Sequence, residues 1–232
     1  MIVLDTHIQS AGYDKGESKI HDITFQVEAG QLVGLIGPNG AGKSTTIKSI
    51  LGIMRDVQGS VRIGDGKGTY AYVPEQPVLY DSMTLWEHLE LAAAAHEMPR
   101  DEFEARAEEL LLEFQMTEQK HHLPTSFSKG MQQKLMLIIA FLLRPSLYIV
   151  DEPFVGLDPR ATRRFLRMLD KERQRGAGVL MSTHVLDTAE RVCDSFVLIH
   201  QGRIVARGTF EEVRQACGLP EGTLFDCFEA LT

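Results

Sequence analysis

The sequence predicts an α/β protein with a mainly parallel sheet, an antiparallel β layer at the N-terminus and an inserted helical block. Three observations carry this. Apolar strands alternate with helices through the last third of the chain, and short strands of alternating polarity fill the first third. In addition, the apolar run Leu32–Ile36 opens directly into a glycine-rich loop.

Each element has its own signal. Ile2, Leu4, Thr6 and Ile8, then Ile23, Phe25 and Val27, alternate as half-buried strands do. Leu32–Ile36 is apolar throughout, the pattern of a strand buried on both faces. Val61–Ile63 and Tyr70–Val73 read as a further pair of strands broken by Gly64–Gly68. Thr84 and Glu87 make a capping box that starts a helix through Ala95. Asp101–Phe114 continues at helical spacing, and Gly130–Leu143 forms a third helix ended by Pro145. Strand Leu147–Val150 leads to a helix over Pro159–Arg175, with Asp158 as N-cap, Pro159 at the first helical position and Gly176 past the end. Strand Val179–Ser182, helix Val185–Val192 and a hairpin of Phe196–His200 and Ile204–Arg207 complete the alternation, the hairpin turning at Gln201-Gly202. Thr209 and Glu212 form a second capping box at the start of a C-terminal helical tail.

Composition narrows the classes. The 232 residues are 44% hydrophobic and 24% charged, an ordinary globular balance. A net charge of −8 argues against nucleic acid or an anionic membrane as the dominant partner. Cys193, Cys217 and Cys227 form no Cys-x-x-Cys and read as free thiols of a reducing compartment. The N-terminal MIVLDTHIQS places Asp5 where a secretory signal needs apolar residues. The longest apolar run, Leu135–Leu143, stops at Arg144-Pro145, well short of the about 20 residues of a membrane helix. Membrane contact is therefore expected only through a partner.

Gly37-Pro38-Asn39-Gly40-Ala41-Gly42-Lys43-Ser44-Thr45 matches the phosphate-binding P-loop, G-x-x-x-x-G-K-[ST], between an apolar strand and a helix. Its glycines let backbone N–H groups converge on phosphate oxygens, to which the following helix presents its positive end. Lys43 is expected to reach the β and γ phosphates and the Ser44 hydroxyl to sit on Mg²⁺. Strand Leu147–Val150 then delivers Asp151 and Glu152, the first placed to orient Mg²⁺ and the second to accept a proton from attacking water. No Asn-Lys-x-Asp occurs, which argues against a guanine-specific enzyme.

With these motifs the chain resembles, over nearly its whole length, the nucleotide-binding subunits of ATP-binding cassette (ABC) transporters. The family's signature loop, usually Leu-Ser-Gly-Gly-Gln, looks like Phe127-Ser128-Lys129-Gly130-Met131 here. The resemblance implies that Ser128 and Gly130 serve a nucleotide on a second copy of the chain. The working unit would then be a head-to-tail dimer with two ATP molecules sandwiched between P-loop and signature. Gln132 or Gln133 is left to substitute for the missing signature glutamine. Asp158, in Gly156-Leu157-Asp158, looks like the D-loop aspartate besides being an N-cap, and His184 looks like the switch histidine on the γ-phosphate. Tyr13 looks like the aromatic that stacks on adenine, with simple loop packing as the alternative.

The chain departs from the family at the Q-loop. Tyr72-Val73-Pro74 is followed by Glu75 and then Gln76, where the family has Gln directly after Pro. Either side chain can carry an oxygen to the metal and the attacking water. Pro-Glu-x-Pro-x-Leu-Tyr, Phe-Ser-Lys-Gly-Met and Ser-Thr-His-x-Leu-x-Thr-Ala-Glu-Arg-x-Cys-Asp-Ser-Phe together resemble the Ecs-type branch of bacterial ABC ATPases. That branch implies a separate multi-spanning permease, with Leu79, Tyr80, Met83 and Trp86 forming an apolar docking cleft for it near Glu75–Trp86, or else, as the alternative, belonging to the core of the helical subdomain. The resemblance further implies ATP hydrolysis coupled to transport, in the direction of export, by a cytoplasmic subunit attached peripherally to the membrane. A non-transport ABC ATPase acting on ribosomes or DNA is the alternative; one cassette, no sustained heptads and the acidic balance speak against it. The chain is expected to be one domain. Its β layer and P-loop core span about 1–76, the helical subdomain about 77–143, the remaining core about 144–208 and the tail 209–232.

Overall fold

The computed structural model describes residues 1–14, 17–64 and 69–232. The first third contains β1 (Ile2–Asp14), β2 (Glu17–Glu28), β3 (Leu32–Ile36), α1 (Lys43–Ile50), β4 (Asp56–Ile63) and β5 (Tyr70–Val73). β1 pairs antiparallel with both β2 and β4, giving a three-stranded sheet in the order β2-β1-β4. β6 (Leu147–Asp151), β7 (Gly178–Thr183), β8 (Ser195–His200) and β9 (Arg203–Gly208) join β3 and β5 in a second sheet, ordered β5-β6-β7-β3-β8-β9. All its pairings are parallel except the β8–β9 hairpin. The expected class, an α/β P-loop NTPase core with an antiparallel layer and inserted helices, is the one observed.

Strand periodicity divides the core. Leu147 and Ile149 of β6 face the antiparallel sheet together with Ile8, Ile23 and Leu35, whereas Tyr148 and Val150 face the helices. On that helical side lie α2 (Leu85–Ala95), α3 (Arg100–Phe114), α4 (Lys129–Leu142) and α5 (Pro159–Gln174). The Thr84–Glu87 capping box forms as expected, and Asp158 caps α5 through Arg160 N and Ala161 N. α6 (Leu186–Val192), α7 (Phe210–Cys217) and α8 (Leu224–Leu231) close over Phe196 and Leu198, with Val213 and Leu224 inserted. No helix is long and apolar enough to cross a membrane among the described residues.

Two expectations are corrected. Val61–Ile63 and Tyr70–Val73 do not pair: the first lies in β4, at the edge of the antiparallel sheet, and the second runs parallel to β6. Burial decides this, because Ala71 and Val73 complete the helical-side core while Val57, Val61 and Ile63 of β4 pack against the core on the other side of the sheet. The glycine-rich break between them lies, over 65–68, outside the described residues. The helical tail comprises α7 and α8, the latter started by a third capping box at Thr223 and Asp226. Finally, Leu79 and Trp86 are only partly open, and the cavity that Trp86 lines is polar, with Arg100, Glu104, Glu108 and Lys120. Both pack against the helical core, Trp86 with its ring 4.9 Å from that of Phe103 and Lys120 Nζ 3.6 Å above it.

Glu172 of α5 joins the helical layer to the core. Its buried carboxylate accepts from Arg175 Nε at 2.8 Å and lies 3.4 Å from Arg106 Nη2, which also donates to Phe141 O at 2.6 Å. Removing one member of a buried ion pair strands the other charge. Glu172→Ala is therefore expected to destabilise the fold by about 3 kcal/mol. Urea unfolding measures this, and a loss below about 1 kcal/mol would mean that solvent already screens the arginines.

Candidate active site

Parallel register brings the ends of β3, β6 and β7 to one edge: Ile36 pairs with Thr183 and Asp151 with Ser182. The P-loop leaves β3 there and enters α1 through Gly42, whose φ of 111° is a conformation that L side chains rarely adopt. A cavity of about 380 Å³ opens at this edge. Tyr13, Pro38, Asn39, Gly40, Gly42, Lys43, Ser44 and Thr45 line it, facing Glu75, Glu152 and His184.

The charged groups form a connected set. Lys43 Nζ is buried, donates to Gly37 O at 2.7 Å and Pro38 O at 3.2 Å, and lies 3.4 Å from Glu152 Oε1. His184 Nδ1 is 2.9 Å from the same Oε1, and His184 N–H donates to Oε2 at 3.4 Å. A carboxylate only accepts, so Nδ1 carries the ring proton in this contact. Glu152 has a φ of 47°, an uncommon backbone for a non-glycine residue, at the turn out of β6.

Asp151 sits beneath the loop, almost fully buried. Ser44 Oγ donates to Asp151 Oδ2 at 3.4 Å and Ser182 Oγ donates to Oδ1. Glu152 N–H donates to Ser182 Oγ at 3.2 Å and to Ser182 O at 3.1 Å, so one serine steadies both acids. Tyr72 of β5 has its phenol pushed up to about 12, first by burial and then by the Asp151 and Glu75 charges, and stays neutral. The Thr45 hydroxyl lies 3.5 Å from the Tyr13 hydroxyl, and half of the Tyr13 surface is exposed.

Other expected residues stand apart from this cavity. Gln76 lines a separate small cavity with Lys129 and Gln133, and Glu75 lines both cavities. Ser128 caps α4, its Oγ accepting from Met131 N–H at 3.3 Å. In the first turn of α4, a Cβ on Gly130 would stand 2.7 Å from Gly156 O, so a close backbone approach requires glycine there. Asp158 is the N-cap of α5. Gly37 and Ala41 supply loop backbone without lining the cavity.

Lys19, Tyr72 and Ser182 are the residues that sequence reasoning missed. Lys19 lines the cavity from β2, whose start at Glu17 lies ahead of the alternation seen at Ile23, Phe25 and Val27. Ser182 was readable in Ser-Thr-His but looked like a strand residue. The donor set suits magnesium, which keeps to oxygen ligands, few of them from protein. Ser44 and Asp151 offer adjacent oxygens, and no three His, Cys, Asp or Glu side chains cluster into a protein-only metal site among the described residues.

A phosphate loop at the carboxyl ends of parallel strands, with an Asp-Glu pair opposite, defines the P-loop nucleoside triphosphatase class. A family profile described as ABC transporter matches residues 20–155, more than half of the chain. The uncharacterised ABC transporter ATP-binding protein YthP of Bacillus subtilis is 50% identical over 97% of this chain and 95% of its own length. The ABC-type transporter ATP-binding protein EcsA of Bacillus subtilis is 44% identical over 100% of this chain and 97% of its own. A solved structure described as an ATP-binding subunit of an ABC transporter superposes with a TM-score of 0.94 at 44% identity, covering 99% of both chains. The chain belongs to the ABC transporter family, among its bacterial ATP-binding subunits.

Ser182→Ala is expected to leave Asp151 Oδ1 unpaired and to lower kcat/KM for ATP about tenfold, the size of one hydrogen bond to a charged group. ATP hydrolysis measured across a Mg²⁺ titration checks this, since the mutant should need more metal; an unchanged Mg²⁺ dependence would remove Ser182 from the positioning of Asp151.

Proposed function

We propose that this chain hydrolyses ATP with Mg²⁺ as a head-to-tail homodimer and so powers export of a substrate through a separate membrane permease. The observation that carries the reading is the contact set of Glu152 with Lys43 and His184 at the mouth of the P-loop cavity. It places one carboxylate between a cation and an imidazole, beside the loop built for phosphate.

In this reading Lys43 exchanges its carbonyl and carboxylate partners for β- and γ-phosphate oxygens, which frees Glu152 Oε1 to take a proton from water. His184, fixed through Nδ1, turns Nε2 towards the γ-phosphate. Tyr13 stacks on the base, and Lys19 adds a cation near the sugar-phosphate end. Mg²⁺, held by Ser44 and Asp151, would offset phosphate charge. Glu75 rather than Gln76 is the Q-loop side chain we assign, because only Glu75 lines the nucleotide cavity.

Ser128 and Gly130, which do not line their own subunit's cavity, serve the nucleotide of the second subunit, with Asp158 at the joint. The 44% identity to EcsA supports the Ecs-type branch, and export is the direction that the resemblance to that branch implies. The permease takes the Q-loop side, where Val78 and Tyr80 are 76% and 61% exposed beside the packed Leu79 and Trp86. The chain then works on the cytoplasmic face of the membrane without entering it.

Glu152→Gln tests the proposal. With ATP and Mg²⁺ it is expected to lower turnover by about 100-fold or more, the range for losing a general base, while retaining ATP and forming a stable dimer. Phosphate release and light scattering read the two effects. Wild-type turnover in the mutant, or a monomer at saturating ATP, would overturn the proposal.

A further inference from the structure

We infer that Gln133 and Lys129, one turn apart on α4, are positioning residues that hold the Glu75 carboxylate at the wall of the nucleotide cavity, an inference that rests on the function proposed above. Gln133 is only 2% exposed, yet its amide Nε2 has no hydrogen-bond partner among the described residues. A buried donor without an acceptor is costly, so such a group marks a bond made in another state of the molecule. Gln133 lines a cavity of about 40 Å³ together with Lys129, Glu75, Gln76, Pro77 and Val155. Glu75 lines this space and the nucleotide cavity alike and thus forms part of the wall between them.

The chemistry is complementary. An ammonium and an amide N–H₂ only donate, and a carboxylate only accepts. The charges match as well. Glu75 is an acid where the family usually has a neutral glutamine, and Lys129 is a cation where it usually has glycine; the two departures face one small cavity. A carboxylate beside a triphosphate is repelled by it, and a cation on its other side offsets that repulsion. Gln133, buried and fixed on the helix, adds direction. Since Ser128 and Gly130 share this first turn of α4, the same contact ties the wall of one ATP site to the loop offered to the other.

The test combines Q133M, K129A and E75A, alone and in pairs with E75A. It reads kcat and KM for ATP, and the rise in Tm that ATP produces in each variant. Methionine keeps the length of the Gln133 side chain without its donor, and Lys129 is exposed, so its variant does not threaten folding. Q133M is expected to lower kcat about tenfold with KM within about twofold, as for a hydrogen bond to a charged group, and K129A to lower it about threefold, as for an exposed ion pair. Both single variants shrink the ATP-induced rise in Tm. In the E75A background neither changes the rate or that rise further. Equal losses with and without Glu75, or no loss from Q133M, would overturn the inference while leaving the ATPase reading standing. A wild-type chain that neither binds nor hydrolyses ATP would overturn both.

Discussion

Parallel pairing of β6 with β7, and of β7 with β3, is the constraint on which the site depends. These strands are buried on both faces, so a slip of one residue would turn every side chain into the wrong half of the core. With register locked, the strands end level, and whatever follows each of them shares one edge. The P-loop, the Asp151-Glu152 pair and Ser182-Thr183-His184 meet there although long stretches of chain separate them. Ser182 turns that register into chemistry, because a strand residue in β7 hydrogen-bonds the acid at the end of β6.

The overall charge of −8 gives little idea of the local field. At the cavity Lys43 lies among carbonyl oxygens and the Glu152 carboxylate, while Asp151 is screened from water by two hydroxyls. Under the proposed function Asp151 and the loop backbone need little reorganisation, since the loop dipoles and α1 converge on the cavity, whereas Lys43 must exchange its partners for phosphate oxygens. The left-handed backbone at Glu152 fits the same picture: a turn other than this one would aim the carboxylate away from Lys43 and His184.

Much of the architecture was legible because the chemistry is local. A P-loop needs its glycines, lysine and hydroxyls in consecutive positions, and capping boxes announce helix starts within four residues. The sequence could not show which strands become neighbours, so β4 and β5 looked like partners until burial of Ala71 and Val73 placed β5 beside β6. Between docking cleft and helical core the sequence could not choose for Trp86, because Phe103, which covers it, comes from the next helix. The adjacent Gln132 and Gln133 were equivalent in sequence. Helix geometry separates them, as Gln132 donates to Pro124 O at 3.0 Å while Gln133 turns inward. Lys19 and Tyr72 escaped notice because their neighbours at the site are brought in by sheet packing.

The close approach of Gly130 to the Gly156 carbonyl bears on how variation at this position is interpreted. A glycine inside a nucleotide-binding motif is usually taken as a place where the ligand needs room. Here the chain's own backbone occupies that room, so even the smallest added side chain would push the start of α4 off the loop that follows β6. Intolerance of substitution at Gly130 would thus arise in a protein that never meets ATP, and it reports on the seating of two loops against each other.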